Sequence, residues 1–294
     1  MPLVHRKAGP MTEGKHRAAV RMSAAAAVLA VGFWPAAAPS SGKPEWIVNQ
    51  SAVSLLGGAG LTHAQLQTLF GNDRTYLIRG LTQTAAAPVS GALRTVSFTS
   101  YQAMERQFAG PGLPAGTRAV LYDNEDWSFT PAGEQRNPAK YEELAASLVH
   151  AHHLLFITAP AVDLTDVLAP GESSHYAAYL RLGLAASAAR YADVIDIQAQ
   201  GSETSLSTFT SFVTAAAAQA RGANRHVTVL AGLSTNPSGQ HVTSGQLLAA
   251  YDAAQPNVNG YWLNIPSGGP YCPRCGAPQP QVAVPLLRML LNGR

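Results

Sequence analysis

Eight short, β-branched apolar runs, each bounded by turn residues and most followed by an Ala/Leu-rich stretch, constrain this chain more than any other feature. They are Trp46–Ser51, Thr75–Gly80, Thr95–Ser100, Ala119–Asp123, Leu154–Ala159, Val194–Gln198, Val227–Gly232 and Gly260–Ile265. Runs apolar at nearly every position suit parallel strands buried on both faces. Helical patterns separate them at Thr62–Phe70, Tyr101–Phe108, Pro138–Val149, Ser174–Tyr191, Ser207–Arg221, Thr243–Ala254 and Val282–Asn292, whereas Leu81–Ala92 has none. Thr62 and Asn137 stand where N-caps belong, the latter with Pro138 at the first helical position. Eight such units in about 250 residues predict an α/β fold, a single (β/α)8 barrel. A doubly wound open sheet is the competitor, but no G-x-G-x-x-G follows the first strand.

Charge separates the chain into a leader and a body. Residues 1–38 hold Arg6, Lys7, Lys15, Arg17 and Arg21 against Glu13, so of the net +3 the remaining chain carries −1. A near-neutral body offers no footprint for a phosphate backbone, which argues against nucleic acid as a partner. Lys15–Arg21 followed by the apolar Ser23–Phe33 and the small residues Pro35–Ala38 reads as a cleavable signal peptide over 1–38, leaving 39–294 as the barrel domain of a secreted protein. The apolar run is short for a membrane span, and a short anchor is the alternative. Cys272 and Cys275 are the only cysteines. With no second C-x-x-C to complete a zinc site, an exported chain is expected to join them in a disulfide behind Pro266–Pro270.

A barrel of this kind places its chemistry at the C-terminal ends of the strands and stability at the other end. His150, His152 and His153 precede the fifth strand and so belong to the stability face rather than to a metal site. The fourth strand ends in Tyr122-Asp123-Asn124-Glu125-Asp126-Trp127. With a period of two, Asp123 and Glu125 share the face of Leu121. The sixth strand alternates Ile195, Ile197 and Ala199 with Asp196, Gln198 and Gln200, a polar stripe where barrel packing calls for apolar residues. A satisfied buried network or loop solvation would explain these residues without function. A common ligand-facing rim explains both strands at once. Asp123, Glu125 and Asp196 are the candidate catalytic residues; Tyr122, Trp127, Gln198, Gln200, Trp262, Asn264 and Arg79 are candidate substrate contacts, with Arg79 expected to pair with a carboxylate. Carboxylates, amides and aromatic faces together suit a carbohydrate cleft, in which one carboxyl donates a proton and another steadies positive charge. No cofactor or metal is called for: a metal-dependent hydrolase with Asp123, Glu125 and Asp196 as oxygen ligands is the weaker alternative, since no histidine ends a strand and hard-cation sites usually need more carboxylates, and no G-x-S-x-G supports a serine hydrolase. The competing reading is a non-catalytic carbohydrate-binding barrel.

Asp123-Asn124-Glu125 resembles the terminal D-x-E of the family 18 chitinase-like glycoside hydrolases, and Trp262 is similar in placement to an aromatic of that family. The resemblance implies Glu125 as acid and Asp123 as the group orienting a substrate acetamide. The longer pattern D-x-x-D-x-D-x-E would require Asp where Arg118 and Leu121 stand. A wider resemblance is to secreted actinobacterial barrel proteins carrying Y-D-x-E-x-W…T-P-x-x-E-Q…P, here Tyr122, Asp123, Glu125, Trp127, Thr130, Pro131, Glu134, Gln135 and Pro138. The strand Ile197–Gln200 and the strand end Ala231–Thr235 look like the same group. That likeness implies the barrel and export rather than a particular reaction.

Overall fold

The computed structural model describes residues 42–293, so the leader expected over 1–38 lies outside the described residues. Eight parallel strands close on themselves in sequence order: β1 (Glu45–Asn49), β2 (Thr75–Ile78), β3 (Leu93–Phe98), β4 (Thr117–Tyr122), β5 (Leu155–Thr158), β6 (Val194–Ile197), β7 (Thr228–Ser234) and β8 (Gly260–Asn264), with β8 pairing back onto β1. This is the (β/α)8 barrel that the strand count predicts. The helices between them are α1 (Gln50–Gly58), α2 (His63–Phe70), α3 (Tyr101–Ala109), α4 (Ala132–Arg136), α5 (Pro138–Ala151), α6 (Leu164–Leu168), α7 (His175–Leu182), α8 (Leu184–Ala189), α9 (Leu206–Ala223), α10 (Ser244–Ala254) and α11 (Val284–Leu291). Among the described residues no helix is long and apolar enough to cross a membrane.

Strand alternation divides the core in two. Ile47, Tyr76, Ala119, Leu121, Ile157, Val194, Leu230 and Trp262 fill the barrel. Their neighbours Val48, Leu77, Val120, Tyr122, Phe156, Ile195, Ile197, Val229 and Leu263 pack outward against the helices. Each strand therefore spends both faces on burial, which is why the runs read as continuously apolar.

Local details depart from expectation at three points. α1 follows β1 with no intervening loop, although Gly57 and Gly58 weaken its pattern. The single helix expected over 174–191 is two, broken at Gly183, whose φ of 65° no ordinary residue adopts cheaply. Thr62 forms the full capping box with Gln65, but Asn137 makes no cap bond and donates from its amide to the Gly133 carbonyl instead. At the N-terminal face, His150 Nε2 lies 2.9 Å from Asp193 Oδ2, and that same oxygen accepts from the Phe156 amide at 2.7 Å. This pair ties the end of α5 to the starts of β5 and β6.

Candidate active site

The last inward position of β4 and the polar stripe of β6 meet across β5, where Ala159 is too small to separate them. Register sets Leu121 beside Ile157 and Ile157 beside Val194, so two residues further on Asp123, Ala159 and Asp196 form one inward row. β6 ends at Ile197, and the Ala199 amide turns back to the Ile197 carbonyl at 2.7 Å, which holds the next inward side chain, Gln198, at the rim. Its Nε2 donates to Asp123 Oδ1 at 2.8 Å and to the Ala159 carbonyl at 2.9 Å, with Glu125 Oε1 further off at 3.4 Å. Asp123 and Glu125 are also hydrogen-bonded to each other. Two carboxyls can bond directly only if one keeps its proton.

The electrostatics fix which form that proton takes. Burial first, and then the charge of Asp123 and Asp163, holds Glu125 well above the ordinary carboxylate range. Burial also raises Asp123, assisted by Asp196 and Asp163, while the bonds from Gln198 and Glu125 favour its ionised form. Both carboxyls are thus held above the ordinary range, and the bond between them makes Glu125 the member that keeps its proton. Asp196 is fully enclosed, and burial alone raises it strongly. Neither of its oxygens has a hydrogen-bond partner in the protein. It acts on Asp123 through space and presents no surface to a ligand.

The remaining expected residues are distributed unequally. Gln200 folds over Gly232, whose missing Cβ would collide with its amide, and so lies inside the barrel. Trp262, on the strand position paired with Gly232, faces inward at 7% exposure, and Asn264 is half-buried at the end of β8. Tyr122 does not belong to the mouth. It is completely buried in the layer between β4 and the helices, where its hydroxyl donates to Glu134 Oε2 at 2.8 Å. The period-two argument that turns Asp123 inward turns its neighbour outward. Arg79 also lies elsewhere: it donates to Gln50 Oε1 at 2.7 Å and to the Ala85 carbonyl, so amide and backbone stand where a carboxylate partner was expected.

Trp127 is held at the rim as a structural ring. Its Nε1 donates to Thr130 Oγ1 at 2.8 Å, and Thr130 donates onward to the Thr99 carbonyl at 2.6 Å. Gln135 Nε2 donates to the carbonyls of Trp127 and Thr130, and Glu134 accepts from the amides of Tyr101 and Gln102 at the start of α3. The Y-D-x-E-x-W…T-P-x-x-E-Q motif is thus two interleaved sets. Tyr122, Trp127, Thr130, Glu134 and Gln135 build the loop after β4; Asp123 and Glu125 use it.

Two further acids belong to the neighbourhood. Asp163 Oδ1 accepts from the Asp126 amide at 3.0 Å, and burial raises its carboxyl. Glu203, almost wholly buried, accepts from the Gly201 amide at 2.6 Å and the Ser234 amide at 2.8 Å and is pushed up to about 7 by burial. Sequence reasoning passed over Glu203 because it lies in a loop, outside any alternating pattern. Cys272 and Cys275 are joined in a disulfide. Asn236 Nδ2 donates to the Cys275 carbonyl at 2.9 Å and, at longer range, to those of Pro266 and Ala277, pinning the segment after β8 to the end of β7. Among the described residues no group of three or more His, Cys, Asp or Glu side chains is arranged to hold a metal ion.

No family model matches the chain, and no curated protein matches it either. Solved structures similar to it include the N-terminal domain of a candidate aldolase from Bacteroides vulgatus, 8% identical, covering 85% of this chain and 79% of that one with a TM-score of 0.47. A triosephosphate isomerase from Bartonella henselae is 10% identical over 75% of this chain and 92% of its own, with a TM-score of 0.41. A curdlan-specific exo-β-1,3-glucanase from Blastomyces gilchristii, bound to glucose, is 12% identical over the same shares, also with a TM-score of 0.41.

Proposed function

We propose that this chain is an exported glycoside hydrolase acting on a poly- or oligosaccharide at the C-terminal face of the barrel, with Glu125 as proton donor and Asp123 as its paired carboxylate. One observation carries the reading: the amide of Gln198 gathers the Asp123 and Glu125 carboxyls together, at the end of the barrel where (β/α)8 enzymes work. A carboxylic acid kept protonated near neutral pH is what cleavage of a glycosidic bond needs. Glu125 gives its proton to the glycosidic oxygen, the bond from that oxygen to the anomeric carbon breaks, and the Asp123 carboxylate faces the positive charge that develops. Water then adds to the anomeric carbon and returns a proton to Glu125. Asp123 is held by the same Gln198 amide that reaches Glu125, so it is assigned charge stabilisation and orientation rather than covalent attack. Asp196, out of reach, is assigned the role of tuning Asp123. The basic-then-apolar leader and the Cys272–Cys275 bond support export.

The enclosure of Asp196 and the tight packing of Gln198 and Gln200 favour one other reading, a barrel that binds a glycan without cutting it. A screen of polysaccharides and aryl glycosides, with wild type beside Glu125→Gln, separates the two. Hydrolysis by wild type that falls by about 10²–10⁴ in the variant, the usual share of a general acid, supports the assignment. Equal turnover by both proteins removes Glu125 from the chemistry, and ligand binding without any turnover by wild type selects the binding protein.

A further inference from the structure

Four large apolar side chains are exposed among the described residues, and two of them, Phe129 at 36% and Tyr271 at 65%, stand together. Their ring centroids are 4.6 Å apart with planes tilted by only 32°, and Trp127 supports both from the side, at 5.3 Å from Phe129 and 5.8 Å from Tyr271, edge-on to each. The three rings come from opposite sides of the barrel. Trp127 and Phe129 follow β4, whereas Tyr271 belongs to the segment after β8, four strands away around the ring. The platform is also fixed. Trp127 is anchored through Thr130, its amide bonds the Glu125 carbonyl at 3.0 Å, and Tyr271 directly precedes the disulfide whose far half is held by Asn236.

Burying these rings would gain stability, yet the fold leaves Phe129 and Tyr271 exposed, against a Trp127 that stands two residues along from Glu125. Rigid aromatic faces left in water beside a polar site are suited to a partner with an apolar face and a polar edge. A pyranose ring has both. The ionisable groups nearest the carboxyl pair are Asp126 and Asp163, the latter facing His175, and Arg79 is turned away to Gln50. With Arg79 turned aside and burial favouring the protonated carboxyls, the site suits the hydroxyls of a neutral sugar better than the anionic groups of uronates and sulfated sugars. We propose that the Phe129–Tyr271 pair is a distal sugar-stacking subsite, so that the ligand is a neutral glycan chain long enough to run from the carboxyl pair out over the rim. This deepens the glycosidase reading and rests on it for the nature of the ligand.

Titration calorimetry on the Glu125→Gln protein, which holds its ligand without cutting it, tests the subsite. The probes are cellohexaose, laminarihexaose and chitohexaose, each beside its disaccharide. A hexaose should bind more tightly than its disaccharide. Adding Tyr271→Ala should weaken the hexaose about tenfold, the worth of one partly covered ring face, and leave the disaccharide unchanged. Tyr271→Phe should retain hexaose affinity, and the exposure of this side chain makes loss of folding no explanation for the Ala result. A hexaose whose affinity ignores both Tyr271→Ala and Phe129→Ala overturns the subsite while leaving the glycosidase reading in place. Absence of binding by all six sugars overturns both.

Discussion

Replacing Glu134 by Ala is the sharpest test of the separation between framework and mouth in the loop after β4. The side chain is 2% exposed and accepts three hydrogen bonds, from the Tyr101 amide at 2.6 Å, the Gln102 amide at 3.1 Å and the Tyr122 hydroxyl at 2.8 Å. Its loss strands a hydroxyl on a fully buried ring, which costs about 1–3 kcal/mol. It also removes an acceptor from the first turn of α3, worth about 1 kcal/mol, although Ser100 Oγ still accepts from the Ala103 amide there. The total expected is about 3 kcal/mol, measured as a lower urea midpoint with the disulfide intact. Tyr122→Phe alone should cost about 1 kcal/mol, because Glu134 keeps its backbone donors. The double variant should then cost less than the two singles together by about 1 kcal/mol, since the same bond cannot be lost twice. Strict additivity would refute the bond as an energetic link. Unchanged stability of Tyr122→Phe together with weakened sugar binding would return Tyr122 to the mouth, where the sequence placed it.

Gln198→Leu removes the donor that favours the ionised forms of both Asp123 and Glu125, so both carboxyls should rise further and the acid limb of the pH–rate profile should move to higher pH; a profile that keeps its shape refutes the clamp. Global stability should depend on pH in an unusual direction. Burial raises Glu142 to about 8 and Glu203 to about 7, and raises Asp196 as well. A carboxyl with a raised folded value keeps its proton when the unfolded chain has already lost it. Stability should therefore fall as pH climbs from the ordinary carboxylate range near 4 through 7–8, and level off above. Melting temperatures that rise across pH 5–8 would contradict the burial of these acids.

Much of the site was legible because strand parity is local. Asp123 on the face of Leu121, and Asp196 on the face of Val194, follow from alternation alone. The same rule, applied one residue earlier, already sends Tyr122 outward. Adjacency to Asp123 in the chain does not bring Tyr122 to the ligand, because direction, not proximity, decides which face a strand residue serves. Trp127 and Arg79 illustrate a different limit. Their partners, Thr130 with Thr99 in one case and Gln50 with Ala85 in the other, are set by how loops fold over strand ends, where no periodicity operates. The break at Gly183 was hidden because the helical pattern resumes on its far side, and only the positive φ marks the interruption.

Sequence by itself determined the eight strands, the sense in which they alternate and the end of the barrel that carries acids, because each follows from backbone geometry and burial preference over a few neighbouring residues. Only the tertiary structure decided that Gln198 reaches Asp123 across 75 positions of chain, that burial raises the carboxyls of Asp123 and Glu125 while Asp196 is enclosed, and that Tyr271 meets Phe129 over the rim. Those outcomes turn on desolvation and on contacts between distant segments. Both depend on how densely the whole chain packs around a group, which no short stretch of residues contains.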